Sequence, residues 1–197
     1  MAITVYTYND KVLKNVATDK WLKKKEISPV ITLDPGIIRV KMPSGWTAAD
    51  FGTSGPPGIT FTNLGNDIWD CVISNMIAGW SNYTQTYHIV NAIELIAMNT
   101  TLNTSYANGM NSAFYNSTSL TKLYPDNYIV SNLTNVSSMF NGCTNIESGA
   151  LALYNKLSAL GAQISNHEDT FKNCGSSTVT GAAELAQIPS SWGGTAT

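Results

Sequence analysis

Three stretches in the second half of the chain carry one pattern, and that pattern restricts the fold more than anything else in the sequence. Val136–Ile146 reads VSSMFNGCTNI; upstream, Met110–Leu120 reads MNSAFYNSTSL; downstream, the segment from His167 reads HEDTFKNCGSSTV. Laid in register, Phe114, Phe140 and Phe171 share a column, Asn116, Gly142 and Asn173 a second, and Ser117, Cys143 and Cys174 a third, at spacings of 26 and 31 residues. Units of this length, with one aromatic, one small residue and a polar turn, bury their apolar face only against neighbouring units, as in a solenoid. Stacking would set the three phenylalanines in one ladder. The Asn, Ser and Thr side chains between them would turn the chain and bond the backbone at each corner.

Charge bears on where such a chain works. Charged residues make up 12% of the 197, about half the usual share, so solubility rests on Asn, Ser, Thr and Gly. This suits a β-rich or solenoid protein outside the cytoplasm or within a large assembly. Residues 1–41 hold eight Lys/Arg against four Asp/Glu, and the remainder three against nine. A nucleic-acid tail would be more basic and richer in Arg, so the basic arm is expected to dock on an acidic protein surface, with no nucleic-acid partner.

Residues 1–28 read as a separate piece. Ile3, Val5 and Thr7 alternate with Thr4, Tyr6 and Tyr8, Asn9-Asp10 offers a turn, and Val12-Leu13 begins a returning strand. Ser28-Pro29 and Asp34-Pro35-Gly36 mark a boundary, beyond which strands are expected at Ile37–Met42 and Ile59–Thr62, joined by a long Gly- and Pro-containing loop. Trp69, Val72, Ile73, Met76 and Trp80 fall at helical spacing after Asp67 as N-cap, which predicts a helix over 67–80. His88–Met98 is apolar on most sides and is read as a second helix. Within the second unit, Ala150, Leu153, Leu157 and Leu160 line one face of an amphipathic helix capped by Ser148 and Gly161. A short helix over Gly181–Ile188 stops at Pro189.

The repeat Leu133–Cys143, LTNVSSMFNGC, with its TFKNCG relative, resembles the repeats of the BspA-type leucine-rich-repeat surface proteins, whose usual unit reads much like NVTNMSYMFYGCTSL. The resemblance covers roughly residues 100–192. It implies adhesion and surface binding, and short members of the family are similar to proteins of gut bacteria and their phages. The fold expected is α+β: an N-terminal anchoring arm (1–28), a small β/α cap (29–100), then a short leucine-rich-repeat-like solenoid of about three units with a C-terminal cap (101–197).

Catalytic groups are sparse. His167-Glu168-Asp169 is the densest titratable cluster, but neighbours on a repeat turn point apart, so a solvated corner is expected there. His88 has no acid nearby in sequence until Glu94. Cys71, Cys143 and Cys174 read as reduced core thiols, no metal spacing occurs, and no cofactor is implied. The opening MAITVYTYND lacks the blocks of a signal peptide, and no run has the roughly 20 apolar residues of a membrane span. Six Asn-X-Ser/Thr sequons (Asn82, Asn99, Asn103, Asn116, Asn132, Asn135) are read as turn formers.

Together these features lead to a non-enzymatic virion protein, a phage head or tail fibre. Tyr6, Tyr8, Lys11, Trp21 and Lys23 would anchor it to virion structural proteins. Tyr115, Tyr124 and Tyr128, on inter-repeat loops, would meet a host surface or glycan. A homo-oligomer, with a trimer favoured, is expected on the virion exterior. The alternative is a bacterial cell-surface adhesin of the BspA type.

Overall fold

The computed structural model describes residues 6–8, 11–13 and 31–196. Strands β1 (Tyr6–Tyr8) and β2 (Lys11–Leu13) pair antiparallel, Tyr6 opposite Leu13 and Tyr8 opposite Lys11, in a two-stranded sheet of their own. Tyr6, Tyr8 and Lys11 lie on this hairpin; Trp21, Lys23 and the Asn9-Asp10 turn lie outside the described residues.

The main body is mixed α+β, with a six-stranded sheet and three helices. β3 (Ile37–Lys41) runs antiparallel to β5 (Ile68–Ile73) on one side and β6 (Glu94–Asn99) on the other, and β4 (Ile59–Gly65) pairs antiparallel with β5. β7 (Lys122–Leu123) and β8 (Tyr128–Ile129) both add parallel to β6. Ile38 and Val40 of β3 and Trp69, Cys71 and Ile73 of β5 point into the core at every second position. On the opposite face Arg39 donates two hydrogen bonds to the Asp70 carboxylate, at 2.6 and 2.8 Å.

Two helices expected from the sequence are strands. The 67–80 segment contains β5 because Asn66 (φ 54°) and Asp67 (φ 62°) both take the left-handed conformation of a two-residue hairpin turn, a geometry whose twist suits paired strands. Asp67 is thus a turn residue and not an N-cap. The segment 88–98 opens with His88, also left-handed (φ 54°), passes through a single 3-10 turn at Ile89–Asn91 and becomes β6. Burial along β6 alternates only over Glu94–Ala97, and Ala97, Met98 and Asn99 are all buried, so its apolar run lacks a clean two-residue period and imitates a buried helix. The first helix is instead α1 (Trp80–Thr86), whose Trp80, Tyr83 and Thr84 are buried.

Beyond β6 the chain makes three superposed turns. Met110, Ser112, Phe114 and Asn116 donate their N–H groups to the carbonyls of Asn135, Ser137, Met139 and Asn141; Val136, Ser138, Phe140 and Gly142 donate to Asn166, Glu168, Thr170 and Lys172. The Phe114 and Phe140 rings lie 5.4 Å apart, and those of Phe140 and Phe171 lie 6.1 Å apart, within 2° and 9° of parallel. Asn116, Gly142 and Asn173 all have positive φ, which explains their shared column, since Gly and Asn enter that region most readily. Ser112, Ser138 and Asp169, each two residues before a phenylalanine of the ladder, form a second left-handed column. The six-stranded sheet is not a solenoid, and it is not set apart from the turns: β7 and β8, from beyond residue 100, pair with β6, and sheet and turns share one continuous core.

α2 (Ala150–Ser158) buries Ala150, Leu153 and Leu157. Its N-terminus is not capped by Ser148: Gly149, with φ 99°, precedes it, and Glu184 of α3 (Val179–Leu185) accepts from the N–H groups of Gly149 at 3.2 Å and Leu151 at 3.0 Å. Gly161 opens a 3-10 turn past the helix end. Thr178 caps α3 through the Gly181 N–H, and Trp192 closes the last turn, its carbonyl accepting from the Phe171 N–H.

Candidate functional site

Helix α1 forms because Trp80, Tyr83, Thr84 and Tyr87 repeat at helical spacing after Gly79, a stripe that the core buries. Thr84 Oγ1 donates to the Ala113 carbonyl and Trp80 Nε1 donates to the Ala107 carbonyl at 3.3 Å. The helix therefore lies against the first of the three turns, as Trp192 lies against the last. Its polar face remains, and with the first turn it bounds a hollow of about 380 Å3 lined by Ser81, Asn82, Gln85, Thr86, Ser112 and Tyr115. Gln85 Nε2 spans the contact, donating to the carbonyls of Ser112 (3.3 Å) and Tyr115 (3.5 Å).

The three tyrosines expected at the surface divide. Tyr115 is exposed, with 44% of its surface accessible. Tyr124 is half-buried and donates to Glu94 Oε2 at 2.6 Å; burial, then this bond, pushes its phenol up to about 12. Tyr128 is not exposed at all: it is buried, donates to the Leu95 carbonyl at 2.6 Å and accepts from the Tyr124 N–H at 2.9 Å. The loop carrying it folds back onto β6 as β8, which turns a surface position into a core one. Only Tyr115 joins the hollow, while Tyr106, 49% exposed on a 3-10 turn at Ser105–Asn108, is a further surface aromatic.

The titratable clusters do not converge. His167 stacks on Trp192 with centroids 4.2 Å apart, and Asp169 turns to pair with Lys172 at 2.9 Å. His88 Nδ1 lies 3.0 Å from the Asp50 carbonyl. Among the described residues no group of three His, Cys, Asp or Glu side chains is placed to hold a metal ion. The three cysteines are buried and unpaired. Burial pushes the Cys143 thiol up to about 12, and its Sγ donates to the Phe114 carbonyl at 2.9 Å, so it serves the stack rather than any nucleophilic step.

Of the six residues around the hollow, only Tyr115 was legible as a surface group. The signal for the rest was the Trp80/Tyr83/Thr84/Tyr87 stripe, which implies an outward face of Ser81, Asn82, Gln85 and Thr86. Placing a helix upstream, over 67–80, obscured it. Among the described residues no helix is long and apolar enough to cross a membrane. No protein-family profile, no curated protein and no solved structure matches this chain.

Proposed function

We propose that this chain is a non-enzymatic structural and adhesion protein of a phage particle, a head or tail fibre. Its first 28 residues anchor it to other virion proteins, and its second half is a short leucine-rich-repeat-like solenoid of about three units, of the BspA type, presented to a host surface or glycan. The observation that carries this reading is the parallel stack of Phe114, Phe140 and Phe171, with the same backbone bonds and left-handed corners recurring in each unit. Such a stack is a rigid scaffold that sets its polar corners in rows along one edge, which is the form a surface-binding protein needs. The basic arm against an acidic body supports docking of the arm on an acidic neighbour. A homotrimer on the virion exterior fits a fibre.

The test is to delete residues 1–28 and follow incorporation into particles. Loss of incorporation with an intact body is the outcome expected; normal assembly of the truncated protein rejects the anchor. Fractionation of uninfected bacterial cells separates this reading from a cell-surface adhesin, which would be found on their envelope.

A further inference from the structure

We propose that the hollow between α1 and the first turn is a binding site for a neutral saccharide, with one sugar ring lying against Tyr115 and its hydroxyls bonded by the Asn82 carboxamide, the Gln85 amide oxygen and the Ser and Thr hydroxyls around it. The proposal rests on the surface-binding reading above and gives it a place and a ligand class.

Three properties of the lining select this chemistry. All six residues are uncharged and five carry amides or hydroxyls; Gln85 commits its amide N–H groups to the Ser112 and Tyr115 carbonyls and offers its oxygen, while the other four can both donate and accept, so the ligand they match is one with many neutral hydroxyl groups. The sixth is a tyrosine whose exposed ring offers rigid amphipathic contact area at small entropic cost, suited to the apolar face of a pyranose. The hollow, of about 380 Å3, is shallow and open to solvent, so it seats one ring on its floor and leaves the rest of a chain outside.

Rigidity favours the same conclusion. Ser112 (φ 57°) and Asn116 (φ 56°) fix the turn that carries Tyr115 on both sides. The Thr84–Ala113 and Gln85–Ser112 bonds hold α1 against that turn, so the two walls are preorganised. Among the described residues no cation lines the hollow to favour an anionic ligand. The cation in the Tyr115 column, Lys172 two turns along, is paired with Asp169 at 2.9 Å.

The test uses the full chain and three probes, the methyl glycosides of glucose, galactose and N-acetylglucosamine, with N-acetylneuraminic acid and inorganic phosphate as charged comparators. Saturation-transfer NMR and titration calorimetry are run on the parent protein, Tyr115→Ala and Tyr115→Phe. At least one neutral glycoside is expected to bind, weakened about tenfold or more by Tyr115→Ala and less than about threefold by Tyr115→Phe, with thermal midpoints unchanged. Binding of the charged comparators alone, of no glycoside, or of one indifferent to Tyr115→Ala overturns the site. Adsorption to candidate host cells keeps the two readings apart. If the parent and Tyr115→Ala adsorb equally, or if protease but not periodate treatment of the cells abolishes adsorption, the hollow is wrong while adhesion stands. If glycosides bind at Tyr115 but the protein adsorbs to no cell, the hollow stands and the adhesion reading fails.

Discussion

The rings of Phe114 and Phe140 lie 5.4 Å apart and 2° from parallel, and both are fully buried although 26 residues separate them in the chain. Each occupies the same place in its own turn, so the second ring fills the space above the first. Phe140, with a ring on each side, is the middle of the stack.

Phe140→Ala is expected to cost about 3–5 kcal/mol, the range for emptying a buried phenylalanine site. Phe114→Ala should cost a similar amount. The double substitution should cost clearly less than the sum, because the two truncations open one shared cavity. Urea unfolding of the three variants measures this, and simple additivity would mean that the rings do not support each other.

Glu184 joins α2 to α3 by accepting from the Gly149 and Leu151 N–H groups, which otherwise have no partner within their helix. Glu184→Ala should lower stability by about 1–2 kcal/mol. Glu184→Gln, which keeps one amide oxygen as acceptor, should lose less. A change of only a few tenths in Glu184→Ala, by chemical denaturation, would show the contact to be incidental.

Gly181 lies inside α3, where helix propensity alone favours Ala over Gly by about 1 kcal/mol. The site forbids it: a β-carbon there would collide with the Ile146 carbonyl oxygen and stand 2.7 Å from Gly175 Cα. Gly181→Ala is therefore expected to destabilise by about 1–3 kcal/mol, the usual cost of overpacking, with the sign opposite to propensity. A rise in thermal midpoint would refute the close approach of α3 to the second turn.

Alkali should weaken the fold. Burial raises the Cys143 thiol from an ordinary 9.0 to about 12 and the Tyr124 phenol from 10.0 to about 12, and raises the Tyr128 phenol as well. Each group stays protonated in the folded chain at pH values where the unfolded chain has lost the proton. The folded state thus binds more protons between about pH 9 and 12, so stability is complete below that window and falls as pH rises through it. Thermal midpoints measured from about pH 8 to 11.5 should decline, and the decline should be shallower in Cys143→Ala, where the buried Cys71 and Cys174 thiols still set its onset. A flat profile would place these groups in water.

The architecture was legible where short-range chemistry repeats. The phenylalanine ladder, the left-handed Asn116/Gly142/Asn173 column and helix α2 follow from residues acting within their own turn. The failures occurred where a distant partner decides. β6 and a buried helix share one composition, and only pairing with β3 and β8 selects the strand. Tyr128 reads as a loop residue until β8 carries its hydroxyl to the Leu95 carbonyl. Ser148 stands where a cap belongs, yet Glu184, 36 residues on, occupies the role.

The sequence by itself determined that three units would stack and which ring each would contribute, because a repeated pattern of turn and apolar residues satisfies the backbone and core in the same way each time. Only the tertiary structure decided that a sheet would flank the stack, that α1 would cover its first turn, and that Tyr115 alone of the three loop tyrosines would face an open hollow. Those outcomes depend on which buried surfaces meet across the chain, and a local pattern leaves that choice open.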